Sequence, residues 1–546
     1  MKMSLSDPKN HIPPFLLIII SFVVYQTTIS PVVFLGDSGE LTAAAFSLGI
    51  PHGNGYPLYA LLGKLFCLIP IGNVGFRMNL MSAFFAVATL WLVYGLIVRI
   101  TASKLAAFVG TLILAFVSEF WFQAVAAEVY ALHVFFVVLM IRLLWWWNEK
   151  REFECLTLLV FVTGISFGNH LQTVMLAPAV LFMVISADKK TLFVPKNVII
   201  LFAVFVVALS MYLYLPIRTE AGAAIHWGDP NSLGRFWADV SGKSHRAGYV
   251  LNKTPMEYML RTKEALGFVW SQFGVVILFS LWGWLRLHSA RWRVFYVLVI
   301  VFDFIYAVFL NTISLEITPF VLPTVVVLTL LAGVGIGDLL KKIKSLLSVR
   351  SRSEGVIKAG FCVIPVIILL MNYGLCNQSH NYTAYEHANN IFRTVGNGDI
   401  LFIDSDNNVF PVTYGRIVER KREDIILYDR LNLIFRLPEL ERPLRSTGHG
   451  WEERRNRIEK QVIEKKRDRA VYYAKFVPDN IQMPTQYRLV PFGLISKVVQ
   501  MGTKIEMGKV YQVWRYYSSE NFNEDFHRDF MNRQVAAFFH FNRAKL

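Results

Sequence analysis

The chain has 546 residues, of which 54% are apolar and 17% charged, whereas a soluble domain ordinarily carries about 25% charged residues. With a mean hydropathy of +0.43, it needs a non-aqueous solvent, and a bilayer is the ordinary one. The formal net charge of +16 is spread in short clusters between apolar runs and through the last third, so membrane orientation explains it and nucleic-acid binding is set aside.

A spanning helix needs about 20 apolar residues. In chain order the pattern predicts spans at 13–33, 78–99, 104–122, 128–147, 155–168, 171–186, 197–216, 265–285, 292–311, 319–340 and 357–375, about eleven in all. Residues 155–186 read either as two short spans or as one helix pair dipping partway, because Gly164, Gly168, Asn169 and His170 interrupt them. Basic clusters test the count: Lys2 and Lys9, Arg99 and Lys104, Lys150 and Arg151, Lys189 to Lys196, Arg286 to Arg293, and Lys341 to Lys358. With a cytoplasmic N-terminus and eleven crossings, each cluster falls on the cytoplasmic side. The first apolar run is longer than a cleaved leader needs. The fold class expected is a mainly α, polytopic transmembrane bundle over 1–375, with outer loops at 34–77 and 217–264. Residues 376–546 are expected to form an outward-facing small α/β domain. Its strands are read at 399–404 and 424–429, with helical patterns near 383–395 and 452–467. Four cysteines without CxxC or zinc-like spacing suggest no disulfide framework.

Chemistry concentrates in the outward loops. The first contains Asp37-Ser38-Gly39-Glu40, two carboxylates at a helix start. There the dipole favours negative charge, and an acid against an apolar surface becomes a base. A helix cap beside a solvated acid is the plainer reading of the same spacing. His52, Asn54 and Tyr56 follow in the turn PHGNGYP, read either as turn chemistry or as a polar clamp. Glu128 and Tyr130 mark the mouth of the fourth span, and an ionisable group there is a functional candidate. His170 sits with Asn169 and Gln172 at the outer end of spans five and six. Arg218 closes span seven, either holding a phosphate or snorkelling to headgroups. Trp227 and Asp229 belong to a turn, His226 to Pro230, whose indole offers a platform for a sugar ring. No P-loop, GxGxxG, HExxH or GxSxG occurs in a sensible context, so ATPase, dehydrogenase, zinc-protease and serine-hydrolase readings lack support.

Several segments taken together, GDSGELTAAAFSLGIPHGNGYPLY, RMNLMSAFFA, FWFQAVAAEVYAL, GISFGNHLQ, YLPIR, HWGDP and DILFIDSDNNVFPVTYGR with REDIILYD, resemble in order a membrane-protein family. That family includes the animal O-mannosyltransferase acting on plexin-type receptor domains, and it looks like the GT-C glycosyltransferases. The resemblance runs from about 30 to 435 and implies a multi-span enzyme with outward catalytic loops and a polyprenyl- or dolichyl-phosphate sugar donor. It further implies Asp37, with Glu40, as the catalytic acids, and Glu128, His170, Arg218 and Asp229 around the donor. His52-Gly53-Asn54-Gly55 departs from the family's usual His-Pro-Pro-Gly, and Ser405-Asp406-Asn407-Asn408 from its Gly-Asp-Asn-Asp.

The expectation is an inverting sugar transfer to a hydroxyl of a protein Ser/Thr or of a glycan or lipid, with Asp37 as general base. No cofactor is assigned: two carboxylates are too few to claim a divalent metal, although some GT-C enzymes use one. The competing classes are a transporter or lipid flippase, which calls for inverted repeats and mid-bilayer charges, and a membrane-anchored assembly protein. Absence of a cleavable signal, of a disulfide framework and of a trusted glycan-site pattern favours a bacterial inner membrane over the endoplasmic reticulum.

Overall fold

The computed structural model describes residues 12–243, 253–311, 317–346, 351–438, 440, 450–466, 468–476, 481–523 and 530–544; Lys2, Lys9 and Arg350 of the basic clusters lie outside them. Each apolar run falls on a helix. Among the described residues, eight helices are long and apolar enough to span: Val74–Thr101, Tyr130–Lys150, Leu171–Phe193, Pro195–Glu220, Pro255–Arg286, Ala290–Leu310, Thr318–Ser345 and Gly355–Cys376. The pair Lys104–Phe116 and Ser118–Val125 makes a ninth if its 66° bend is counted within one span. The first and fifth runs form shorter apolar helices, Ile12–Thr28 of 17 residues and Phe153–Phe167 of 15. At 1.5 Å per residue these reach only about 26 and 22 Å, less than the roughly 30 Å hydrocarbon core. The architecture is that of an integral, multi-pass membrane protein. The four cysteines are free thiols.

We label the elements that build the site. In the first outer loop, α1 (Ser38–Ser47) and α2 (Pro57–Cys67) flank the PHGNGYP turn. Helix α1 begins where the small residues Ser38 and Gly39 permit close approach and ends at Leu48 in the left-handed conformation. The span α3 (Val74–Thr101) buries Asn79, whose amide donates to the carbonyls of Ser30 (2.8 Å) and Val32 (2.9 Å) and accepts from Ala127 N (2.7 Å). One side chain thus fixes the chain entering the first loop and the break that carries Glu128.

Three irregular helical segments meet inside the bundle: a 3-10 turn at Leu171–Leu176, a π turn at Tyr306–Leu310 and a 3-10 turn at Thr318–Val321. Unpaired backbone in hydrocarbon costs several kcal/mol per group, and Gln172 and Asp303 supply partners. Gln172 Nε2 donates to Asp303 Oδ1 and to Phe320 O, both at 2.7 Å. Asp303 Oδ2 accepts from the backbone N (2.9 Å) and hydroxyl (2.6 Å) of Thr324.

The tail holds a five-stranded sheet of order β2-β1-β3-β5-β4. Strands β1 (Ile400–Ile403) and β2 (Ile426–Asp429) fall within the two segments read as strands. β3 (Val471–Ala474) runs parallel to β1, while β5 (Ile495–Gln500) and β4 (Tyr487–Phe492) are antiparallel. Between β1 and β2 lies α4 (Asp406–Ile417), and α5 (Phe530–Ala544) follows the sheet. The tail and the first loop share one core: Val33, Phe34, Leu35, Ala43 and Ala44 pack with Ile225, Trp227, Leu401, Phe410 and Val535.

Candidate active site

Asp37 occupies the N-cap position of α1, yet its side chain makes no capping hydrogen bond. It turns to the PHGNGYP loop, where His52 stands between the two acids. His52 Nε2 lies 3.1 Å from Asp37 Oδ2, and Nδ1 bonds Glu40 Oε2. The His52 backbone N donates to Glu40 Oε1 at 3.0 Å. The carboxylates are not equivalent: the Asp37 side chain is 39% exposed and that of Glu40 is fully buried. Burial pushes the Glu40 carboxyl up from its ordinary value, against the pull of His52. Burial of His52 lowers its basicity, but the Asp37 and Glu40 carboxylates outweigh this and hold its pKa well above the usual 6.5. The result is an imidazolium locked between a sealed acid and an open one. Among the described residues, no group of three or more His, Cys, Asp and Glu side chains is arranged to hold a metal ion.

Long-range contacts fix His52. Ile50 N donates to Ile225 O (2.7 Å) and Trp227 N to Ile50 O (3.1 Å), a bridge that straps the HWGDP turn beside PHGNGYP. Trp227 therefore stands 5.7 Å from His52, ring to ring, and Phe410 of the tail stacks on the imidazole at 6.0 Å and 14°. Asn54 is structural: buried, it donates to Phe167 O and Tyr212 Oη, both at 2.9 Å, and pins the turn to the short fifth helix.

Tyr56 leads from His52 toward the bundle. Its ring is 5.9 Å from His52 and 6.4 Å from His170, and His170 is in turn surrounded by Tyr130 (5.6 Å), Tyr306 (6.4 Å) and Phe320 (6.1 Å). His170 Nδ1 accepts from Gln172 N at 3.2 Å, which makes Nε2 the proton-bearing nitrogen. Burial lowers its pKa to about 4, so His170 is a neutral N–H donor at physiological pH. Glu128 borders the same region, its Oε1 within 3.9 Å of where a side chain on Gly36 would begin.

Two expected residues have other employment. Arg218, read as a phosphate ligand or a snorkelling cation, instead donates from Nε to Leu48 O (2.6 Å) and from Nη2 to Ser47 O (3.3 Å). The carbonyls ending α1 attract a cation more firmly than open solvent does, and Tyr214, one helical turn earlier, donates to Gly49 O at 2.9 Å. Asp229 bonds His226 Nδ1 and pairs with Arg436 Nη2 at 3.1 Å. Arg436, from the tail, has no sequence signature that would assign it to this turn. Asp239 lies beneath, where burial and nearby Asp229 raise its carboxyl to about 7. Only glycine fits above it, since a Cβ on Gly228 would come 2.0 Å from Asp239 Oδ1 and its φ is +77°. The structure thus joins Asp37, Glu40, His52, Tyr56 and Trp227, sets Tyr130 and His170 beyond Tyr56 and Glu128 beside Gly36, and ties Asn54, Arg218 and Asp229 to neighbouring groups of the protein. Asn79, Asp303, Phe410 and Arg436 escaped the sequence reading: three are lone polar residues in unremarkable stretches, and Phe410 is one aromatic among many.

The chain is similar to known proteins in sequence and in fold. Residues 37–193 match the family model for the Protein O-mannosyl-transferase TMEM260 N-terminal domain. The chain is 26% identical over 449 residues to Protein O-mannosyl-transferase TMEM260 of Mus musculus, covering 75% of this chain and 61% of that one. It is 22% identical over 463 residues to Protein O-mannosyl-transferase tmem260 of Dictyostelium discoideum, covering 75% and 56%. The chain therefore spans about three fifths of the length of the curated relatives it matches. Among solved structures, ArnT from Cupriavidus metallidurans bound to undecaprenyl phosphate is similar with a TM-score of 0.57 at 11% identity, covering 90% of this chain and 98% of that one. The apo form gives 0.54 at 11%, covering 85% and 93%. The resemblance read from the residues is thus found again in sequence, and the fold is similar to that of ArnT.

Proposed function

We propose that the chain is a membrane glycosyltransferase that moves a sugar, mannose by its relatives' names, from a polyprenyl-phosphate carrier to a protein hydroxyl. The observation that carries this reading is the half-open Asp37 carboxylate, held by His52, whose other nitrogen is tied to the sealed Glu40. In the step proposed, Asp37 takes the acceptor's O–H proton while that oxygen attacks C1 of the sugar. The C1–O bond to phosphate breaks, the lipid phosphate leaves with the bonding pair, and the anomeric centre inverts. His52 keeps Asp37 aimed, and Glu40 keeps His52 aimed. The half-open Asp37 and the sealed Glu40 support Asp37 rather than Glu40 as the base, since a base must reach the hydroxyl it deprotonates. The neutral Nε2–H of His170, among Tyr56, Tyr130 and Tyr306, supports a role in hydrogen-bonding the donor's phosphate.

We assign the first loop and the tail to the face opposite a cytoplasmic N-terminus. Their shared core puts them on one side of the bundle, and the basic clusters favour the other side as cytoplasmic. The preference for a bacterial inner membrane draws no support from relatives of mouse and Dictyostelium origin, and the proposal holds for the outward face of either membrane.

The test is transfer from a polyprenyl-phosphate mannose to a Ser/Thr acceptor peptide by the full chain in membranes. Asp37→Asn is expected to lower turnover about 10²–10⁴-fold with unchanged expression. Undiminished transfer by that variant would refute Asp37 as the base, and no transfer by the unaltered chain would refute the donor class.

A further inference from the structure

The loop that carries Asp37 is held from the far end of the chain. The Gly36 N–H, adjacent to Asp37, donates to Asn407 Oδ1 at 3.2 Å, a contact between residues 371 apart. Asn407 lies in the first turn of α4 and is nine-tenths buried. Its Nδ2 donates in turn to Gln534 Oε1 of α5 at 3.3 Å. The same helices close on the site at two further points. A Cβ on Gly39 would come within 2.5 Å of Phe410 O, and one on Gly36 within 3.1 Å of Met531 Sδ. Phe410, three residues past Asn407, stacks on His52.

Gly36 has φ +72°, a conformation glycine adopts at little cost but from which it also departs at little cost. Within the loop, the Phe34 N–H donates to Ser38 Oγ at 3.0 Å and closes the turn around Gly36, but the Gly36 amide itself is held from outside it. The amide of Asn407 supplies that restraint. Asp37 must keep a carboxylate oxygen both against His52 and toward an acceptor, and a shift of about 1 Å in such a group costs on the order of 10²-fold in rate.

We infer that Asn407 is a positioning residue for Asp37: the tail completes the active site by clamping the Gly36 amide, and Gln534 orients the clamp. This rests on the proposed role of Asp37 as base, and the test separates the two. In the full chain in detergent, hydrogen–deuterium exchange of the peptide covering residues 33–41 reads the clamp without reference to activity. Asn407→Ala is expected to speed exchange at the Gly36 amide at least tenfold, while strands β1 and β3 keep their protection. Gln534→Ala, at an exposed position, is expected to do the same to a lesser degree. With the polyprenyl-phosphate mannose donor, both variants are expected to lower kcat, Asn407→Ala by about 10-fold to 100-fold, with donor KM within twofold. Unchanged Gly36 exchange in both variants overturns the clamp. Faster exchange with unaltered kcat overturns its bearing on Asp37. Faster exchange in a chain that shows no transfer even unaltered supports the clamp and sinks the proposed reaction instead.

Discussion

At the scale of single residues, the site turns on how two chemically similar acids are made different. Two residues, Ser38 and Gly39, separate Asp37 from Glu40, and His52 reaches both, but only Glu40 is sealed from solvent. Because the folded pKa of His52 is raised, its contribution to stability is complete below the unfolded value of about 6.5. That contribution is lost as pH rises through the folded value. Thermal midpoints of the solubilised chain should therefore fall on the alkaline side of neutrality. Glu40→Gln, which keeps an acceptor for the His52 backbone N–H but removes one carboxylate, should flatten that fall. An alkaline limb identical in the variant would show that the ion pair does not control it. The acid pair at a helix start was legible from the sequence because helical spacing is local. The place of His52 was not, because it depends on the strap between Ile50 and Trp227, far apart in the chain.

At the scale of elements, α1 is the piece that everything else grips. Arg218 and Tyr214 hold its C-terminal carbonyls, Asn407 holds the residue before its first turn, and α4 packs directly on its Gly39. Replacing Gly39 with alanine drives a methyl into the backbone of Phe410 and Pro411, atoms that cannot swing aside as a side chain does. Gly39→Ala is expected to cost about 1–3 kcal/mol, read as a lowered thermal midpoint together with reduced transfer. Gly234→Ala, where a Cβ meets nothing within 4 Å, should be neutral in both assays. Equal behaviour of the two variants would mean that the α1–α4 contact is slack. The helices themselves were readable as apolar runs, and even the difficult pair at 155–186 resolved into a short helix followed by a longer one. What the runs concealed was their internal chemistry. Asn79 and Asp303 sit inside apolar stretches, and their importance appears only when the carbonyls and amides they serve are brought beside them. Arg218 shows the converse: its position at a span end was plain, but its partners are the carbonyls of another element.

At the scale of the whole molecule, the tail is structurally inseparable from the first loop, because one apolar core belongs to both. The tail's own anchor is Arg430, fully buried, donating to both carboxylate oxygens of Glu459 (2.8 and 3.3 Å) and to Asp404 (2.8 Å). Removing Glu459 leaves the buried guanidinium with Asp404 alone, and breaking one side of a buried pair costs up to about 3–5 kcal/mol. Glu459→Gln is therefore expected to make the sheet open at lower temperature, measured by proteolysis of the tail, and transfer activity should be lost over the same temperature range. Activity that outlives the tail's protection would show the two parts to be independent. The division into bundle and tail was visible as a change in composition, but their joining was not, since no local pattern records which surface meets which. The amide of Gly36 waits for a partner made 371 residues later. At about 5–20 residues per second of synthesis, roughly 20–75 s separate the making of Gly36 from that of its partner Asn407, and the first loop stays unassembled meanwhile. A ribosome-bound chain arrested before α4 would thus occupy the membrane as a bundle without turnover, so that translation itself times the onset of activity.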